Sequence, residues 1–234
     1  MYHLVELRSR LIKCIISVIL VILLLSPFSD AIYLFLAEPL LDQLPDHGSL
    51  IATKVAAPFL APFKLLLFVS FLVALPFILF QIWAFITPGL YDTERRLIFP
   101  LVFFTAFLFY CGILFAYYVI FPIIFGFFAS TTPEGVDLMT DISEYLNFCI
   151  KLFLAFGAAF EVPLITFVII KSGFTTIDAM RNKRPYIILT AFILGMLLTP
   201  PDFVSQVLLA LPIWLLFEVA LLLAAISADD DSSN

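Results

Sequence analysis

Charge and histidine are what this chain has least of. Of its 234 residues 13% are charged and two are histidine, whereas 63% are hydrophobic and 28 are Phe. That balance rules out an ordinary soluble domain, whose core needs far less apolar surface, and a bilayer explains it directly. His3 and His47 lie outside the apolar runs, so no Ser–His pair and no histidine ligand cluster can form within them. Gly-x-Gly-Asp and phosphate-cradling glycine loops are also absent, which speaks against an intramembrane protease or an ATPase. No cofactor, metal or nucleic-acid partner is expected. Cys14, Cys111 and Cys149 sit singly in or beside separate apolar runs with no Cys-x-x-Cys pair, so they read as packing residues. The first apolar run leaves through Ser26-Pro27-Phe28-Ser29-Asp30, without a small-x-small cleavage site. A retained first helix is therefore expected there, in spite of the preceding Arg8, Arg10 and Lys13. No three-plus-three repeat is visible, which lowers the case for an alternating-access transporter.

What is present is a series of apolar runs about as long as the roughly 20 residues a spanning helix requires. They predict an all-α integral membrane protein with six transmembrane helices, at about Leu11–Phe28, Leu65–Ile86, Leu97–Phe121, Phe148–Ile170, Tyr186–Leu198 and Phe203–Ile226. Residues 1–234 read as a single six-span membrane domain. Six spans put both termini on one side, and Lys and Arg choose that side. Nine of them fall with the N-terminus, Arg95-Arg96 and Lys171 to Arg184, against Lys54, Lys64 and Lys151 opposite, so the termini are cytoplasmic. Two outer segments, about 30–64 and 130–147, read as folded caps, the first as short helices on the membrane face. In the second, Asp141-Ile142-Ser143-Glu144 has the spacing of a capped helix start. Prolines at 76, 100, 122, 163 and 212 imply kinks and a curved bundle. The last two spans read as short: Tyr186–Leu198 would make about 20 Å of helix, and Glu218 interrupts the sixth run. A locally thinned bilayer or help from neighbouring helices would cover the deficit.

Polar residues in this setting are the candidate sites. Glu161, in Phe160-Glu161-Val162-Pro163, is the acid well inside a span; it is either functional or a protonated partner of a neighbouring helix. Glu218 is either a second buried acid or the inner end of a short span. Gln81, Gln206 and Trp214 are groups that can pair between helices, and Arg181-Asn182-Lys183-Arg184 is most simply a topology determinant. On the cytoplasmic face Glu6 precedes the first span and Glu94 the third. Two such carboxylates could receive two guanidinium groups, each by a planar bidentate contact that lysine cannot reproduce. The plainer possibility pairs Glu6 with Arg10 and Glu94 with Arg95 or Arg96; exposed pairs of that kind contribute little.

In order along nearly the whole chain, His3-Leu4-x-Glu6-Leu7-Arg8-x-Arg10, Trp83-Ala84-Phe85-Ile86-x-Pro88-x-Leu90-Tyr91, Glu94-Arg95-Arg96, Phe160-Glu161-x-Pro163, Lys183-Arg184-Pro185-Tyr186 and Leu198-Thr199-Pro200-Pro201-Asp202 resemble TatC, the core subunit of the twin-arginine protein translocase, in a gammaproteobacterial wording. The resemblance implies a glove-shaped six-helix protein of the bacterial inner membrane. It implies a non-enzymatic receptor for folded proteins bearing Arg-Arg signal peptides, a homo-oligomer within a complex containing the single-span TatA and TatB and driven by the proton-motive force. By position it implies signal-peptide recognition at Glu6 and Glu94, with Arg8, Phe85 and Arg95 around them. Glu161 would be a polar group of the concave face, and Met196, Thr199 and Gln206 a docking place for partner helices. Pro39, Phe59, Tyr117, Asp141 and Asp202 would belong to the outer cap and its supports. The rival is a proton-coupled small-solute transporter using Glu161.

Overall fold

The computed structural model describes residues 2–42, 49–86, 98–133, 139–171, 173–198 and 203–232. Helices dominate: α1 (Tyr2–Leu25), α2 (Ser29–Leu41), α3 (Ala57–Ile86), α4 (Ile98–Phe115), α5 (Phe121–Thr131), α6 (Ile142–Phe160), α7 (Val162–Lys171), α8 (Ile177–Arg181), α9 (Arg184–Leu198) and α10 (Phe203–Ser232). Among the described residues five stretches are long and apolar enough to cross a membrane, and Arg184–Leu197 is a shorter apolar helix, which together make the six expected spans. Helix ends differ from expectation. The first span begins at Tyr2, the second at Ala57, and the third reaches Thr131, because hydropathy marks hydrocarbon whereas a helix continues wherever its backbone bonds are satisfied.

Proline explains the interruptions. Pro122 has no N–H to give the Tyr118 carbonyl, and just before it Ala116–Ile120 forms a π turn, closed by Phe121 N–H on the Ala116 carbonyl. Pro163 cannot donate to Ala159, and α6 gives way to α7 at Glu161, whose N–H bonds the Ala158 carbonyl at 3.1 Å. Pro76 and Pro212 are carried inside unbroken helices.

The chain divides into two compact units, Met1–Phe107 with Thr131–Asn147, and Leu108–Ser130 with Phe148–Asn234. In the first, α3 packs against α1 and α2. The outer segments meet here in a tie that the sequence does not announce: β1 (Ser49–Ile51) and β2 (Met139–Asp141) pair in parallel, Ile51 opposite Asp141. Asp141 then serves two loops at once. Its Oδ1 accepts from the Ser143 and Glu144 amides at 2.8 and 3.2 Å, the expected cap on α6, and its Oδ2 accepts from the Thr53 amide at 3.0 Å and from the Thr53 hydroxyl. Tyr145 Oη donates to the Leu36 carbonyl at 2.6 Å, joining α2, and Lys64 donates to Asn147. Pro39 is buried in α2, whereas Phe59 is exposed and stacked on Phe63 at 6.4 Å.

The second unit is a phenylalanine core. Phe121 meets Phe153 at 5.0 Å, Phe115 meets Phe156 at 5.7 Å, Phe125 meets Phe148 at 6.0 Å, and Tyr117 is buried beside Phe121. Cys149 is packed into the same core. Two glycines let α4 and α6 close: a Cβ on Gly112 would lie 2.4 Å from the Phe156 carbonyl oxygen, and one on Gly157 2.6 Å from the Phe109 ring. α10 packs against α7, α8 and α9.

Hydrogen bonds from Thr53, the amide and hydroxyl of one residue, hold the Asp141 carboxyl at about 2, below its ordinary 3.8, with the Glu144 and Ser143 amides adding to the effect. A lowered folded value means a stabilising contribution that is complete above about pH 4 and is lost as pH falls through the folded value. The protection of the Thr53 amide, its exchange rate compared with the intrinsic rate at the same pH, should therefore fall between about pH 4 and pH 2, and Asp141→Asn should remove that pH dependence; an unchanged profile in the variant would sink this account. Gly112→Ala should destabilise the protein by about 1–3 kcal/mol, the range for overpacking, because its obstruction is backbone that cannot rotate away. Thermal unfolding in detergent reads it, and a midpoint equal to the parent's would show that the helices separate at no cost.

Candidate functional site

At the cytoplasmic-side end of the first unit, as the sequence assigns it, two helices are joined by one guanidinium. Arg10 of α1 donates to Glu6 Oε1 from Nε at 3.1 Å and from Nη2 at 2.7 Å, and from Nη1 to Gln81 Oε1 of α3 at 3.3 Å. Glu6 and Arg10 are one helical turn apart, the pairing anticipated from their spacing, and Gln81 supplies the expected bond between helices. Both guanidinium bonds to Glu6 fall on the same oxygen. Among the described residues Oε2 accepts none.

Phe85 stands one turn beyond Gln81, as Glu6 stands one turn before Arg10. Glu6 and Phe85 are both half-buried, and Arg8 is exposed on α1. Glu94 and Arg95 lie in 87–97, outside the described residues. Sequence reasoning named Gln81 and Arg10 separately but missed that they bind each other; the polarity of Gln81 on a long apolar helix was the available signal.

In the second unit Glu161 sits at the break between α6 and α7, half-buried, and its Oε1 is enclosed with no hydrogen-bond partner among the described residues. The chain thus leaves unsatisfied an oxygen whose burial costs about 1–3 kcal/mol. The hydrogen bond to a neighbouring helix, the plainer reading of this acid, is not made by that oxygen.

The α9–α10 hairpin holds the remaining candidates. Gly195 lies against the backbone of Gln206, 3.3 Å from its carbonyl oxygen to a Cβ built on the glycine, which places Met196 and Gln206 together near the hairpin tip; Met196 is exposed. Thr199 and Asp202 fall in 199–202, outside the described residues. Ile188, Phe192, Val207, Ala210, Leu211 and Trp214 line an apolar groove of about 220 Å³ along the hairpin. At its other end Arg184 grips Glu218 through two bonds, Nε to Oε1 at 2.7 Å and Nη2 to Oε2 at 2.6 Å. A cation at the first residue of a helix opposes the helix dipole, and Glu218 offsets it. Sequence reasoning missed this pair. The apolar stretch ahead of Glu218 is short as expected, yet α10 runs on through Glu218 to 30 residues.

With these features in place, comparison with known proteins is decisive. Residues 2–212 match the family model for the Sec-independent protein translocase protein TatC. The chain belongs to the TatC family. A TatC protein of Haemophilus influenzae is 52% identical over 233 residues, 99% of this chain and 91% of the relative; that of Escherichia coli K12 is 51% identical over 217 residues, 93% and 84% of the two chains. A crystal structure of a twin-arginine translocase receptor, TatC, superposes with a TM-score of 0.83 at 35% identity, covering 97% of this chain and 99% of that one. The all-α, multi-span fold is that of the family. The TatC family provides protein translocase components rather than enzymes.

Arg184→Ala should lower the thermal midpoint in detergent by leaving Glu218 unmatched on a partly covered helix face. The exchanged pair, Arg184→Glu with Glu218→Arg, should recover most of the loss. Equal midpoints for the single variant and the parent would mean the ion pair contributes nothing.

Proposed function

We propose that this TatC-family chain is the signal-peptide receptor and core scaffold of a twin-arginine translocase, one six-span domain in a bacterial inner membrane. The observation that carries the proposal is its likeness over nearly its full length to a twin-arginine translocase receptor. Nine Lys and Arg on one side against three on the other support cytoplasmic termini. That orientation gives Glu6 and the Glu94 segment to the compartment in which folded precursors are made.

The recognition chemistry follows from the residue types. A carboxylate with an open oxygen can take one edge of a guanidinium, and two carboxylates on one membrane face can take two. Glu6 and Glu94 receive the arginine pair, with Arg8, Phe85 and Arg95 around them. Lysine offers a point charge without a planar fork, so it satisfies such a site poorly. Glu161 meets the part of the signal peptide that inserts more deeply, its unpartnered oxygen waiting for a donor. Met196, Thr199 and Gln206 dock the single-span TatA and TatB helices, and the cap residues Pro39, Phe59, Tyr117, Asp141 and Asp202 support the outer end. Several copies assemble in the complex, and export draws on the proton-motive force.

In nanodiscs, a fluorescent signal peptide with Arg-Arg should bind the full chain at least about tenfold more tightly than its Lys-Lys counterpart, the difference of one charge-assisted contact. Glu6→Ala combined with Glu94→Ala should abolish that preference. Unchanged peptide binding by the double variant would defeat the assignment.

A further inference from the structure

The Arg10 guanidinium does two things that a simple helix-surface ion pair does not. It reaches across to a second helix, and it loads a single oxygen of its carboxylate partner. A pair formed only to neutralise charge is free to be bidentate, as Arg184 and Glu218 are, using both oxygens. Here the third donor is committed to Gln81, which is buried to 7% exposure, so the guanidinium plane is fixed from the α3 side. A guanidinium held at Nη1 presents its Nε–Nη2 edge in one direction, and both donors of that edge close on Glu6 Oε1. The consequence is a carboxylate with one oxygen pinned and the other, Oε2, accepting nothing among the described residues.

We propose that Gln81 and Arg10 form a positioning relay: Gln81 orients Arg10, and Arg10 orients Glu6 so that Oε2 is presented to an incoming guanidinium. The relay rests on the reading of Glu6 as part of the receptor. It assigns Arg10 a role opposite to competition, since its positive charge lies on the closed side of the carboxylate and the ligand's on the open side. Gln81 touches no ligand; it acts through Arg10.

The relay makes a distinctive demand. Losing Gln81 should impair selection between Arg-Arg and Lys-Lys more than binding as such, because the orientation of Oε2 matters to a planar fork and little to a point charge. Peptide affinities would be measured on the full chain in nanodiscs for Gln81→Leu, which keeps the helix–helix packing apolar, and for Arg10→Lys, which keeps the charge but has no planar fork with which to fix the carboxylate. Each should reduce Arg-Arg affinity by about tenfold, the loss of one charge-assisted bond, while Lys-Lys affinity stays within about twofold. Each should have no further effect when added to Glu6→Ala. Should Gln81→Leu fail to assemble, Arg10→Lys carries the same comparison. If Glu6→Ala weakens Arg-Arg binding but both relay variants retain the full preference, the relay is wrong and the receptor reading stands. An equal loss for both peptides, or a loss that persists in the Glu6→Ala background, also overturns the relay, since either marks a packing effect. If Glu6→Ala itself changes nothing, the relay and the role of Glu6 fall together.

Discussion

Inside hydrocarbon a polar group has only the protein to turn to, and the architecture follows from that constraint. The backbone meets it with helices. Where proline removes a donor, the chain answers locally, with the π turn before Pro122 or the break at Glu161 ahead of Pro163. The side chains meet it with ties between helices: Arg10 to Gln81 in one unit, Arg184 to Glu218 in the other. What is left unmatched is informative by contrast. Among the described residues Ser70 Oγ and Glu161 Oε1 are buried without a hydrogen-bond partner, and Glu6 Oε2 accepts nothing beside an Arg10 that takes only Oε1.

Of these groups, Glu161 and Glu6 are the ones that the proposed receptor role would use. A receptor that must release its cargo benefits from groups that bind without being buried in permanent pairs. The bidentate Arg184–Glu218 bridge shows the alternative, a contact that uses both oxygens and offers nothing further. The difference between a closed carboxylate and a half-open one is the difference between a brace and a site.

Local features were legible in the sequence and distant ones were not. The cap at Asp141 could be read because its acceptors and donors are two and three residues apart, and the Glu6–Arg10 pair because helical spacing brings them together. The short α9 followed from counting apolar residues. The second oxygen of Asp141 was hidden because Thr53 lies 88 positions away, as were the bonds from Arg10 to Gln81 at 71 positions and from Arg184 to Glu218 at 34. Gly112 and Gly157 were unremarkable in the sequence; only the packing of α4 on α6 makes them necessary. Of the proposed site, Glu6, Phe85 and Arg8 are placed by the fold, while Glu94 and Arg95 rest on the resemblance of their motif.

The parallel pairing of β1 with β2 also has a consequence for the order of events. Its strands are separated by α3, α4 and α5, so the chain must cross the membrane and return before Ile51 can meet Asp141. Contacts of such long sequence separation form after local ones, since a large loop must be closed first. The outer cap is thus a latch that closes only once the intervening spans are threaded, and a chain in which one of those two spans failed to insert would carry its two strands on opposite faces of the bilayer.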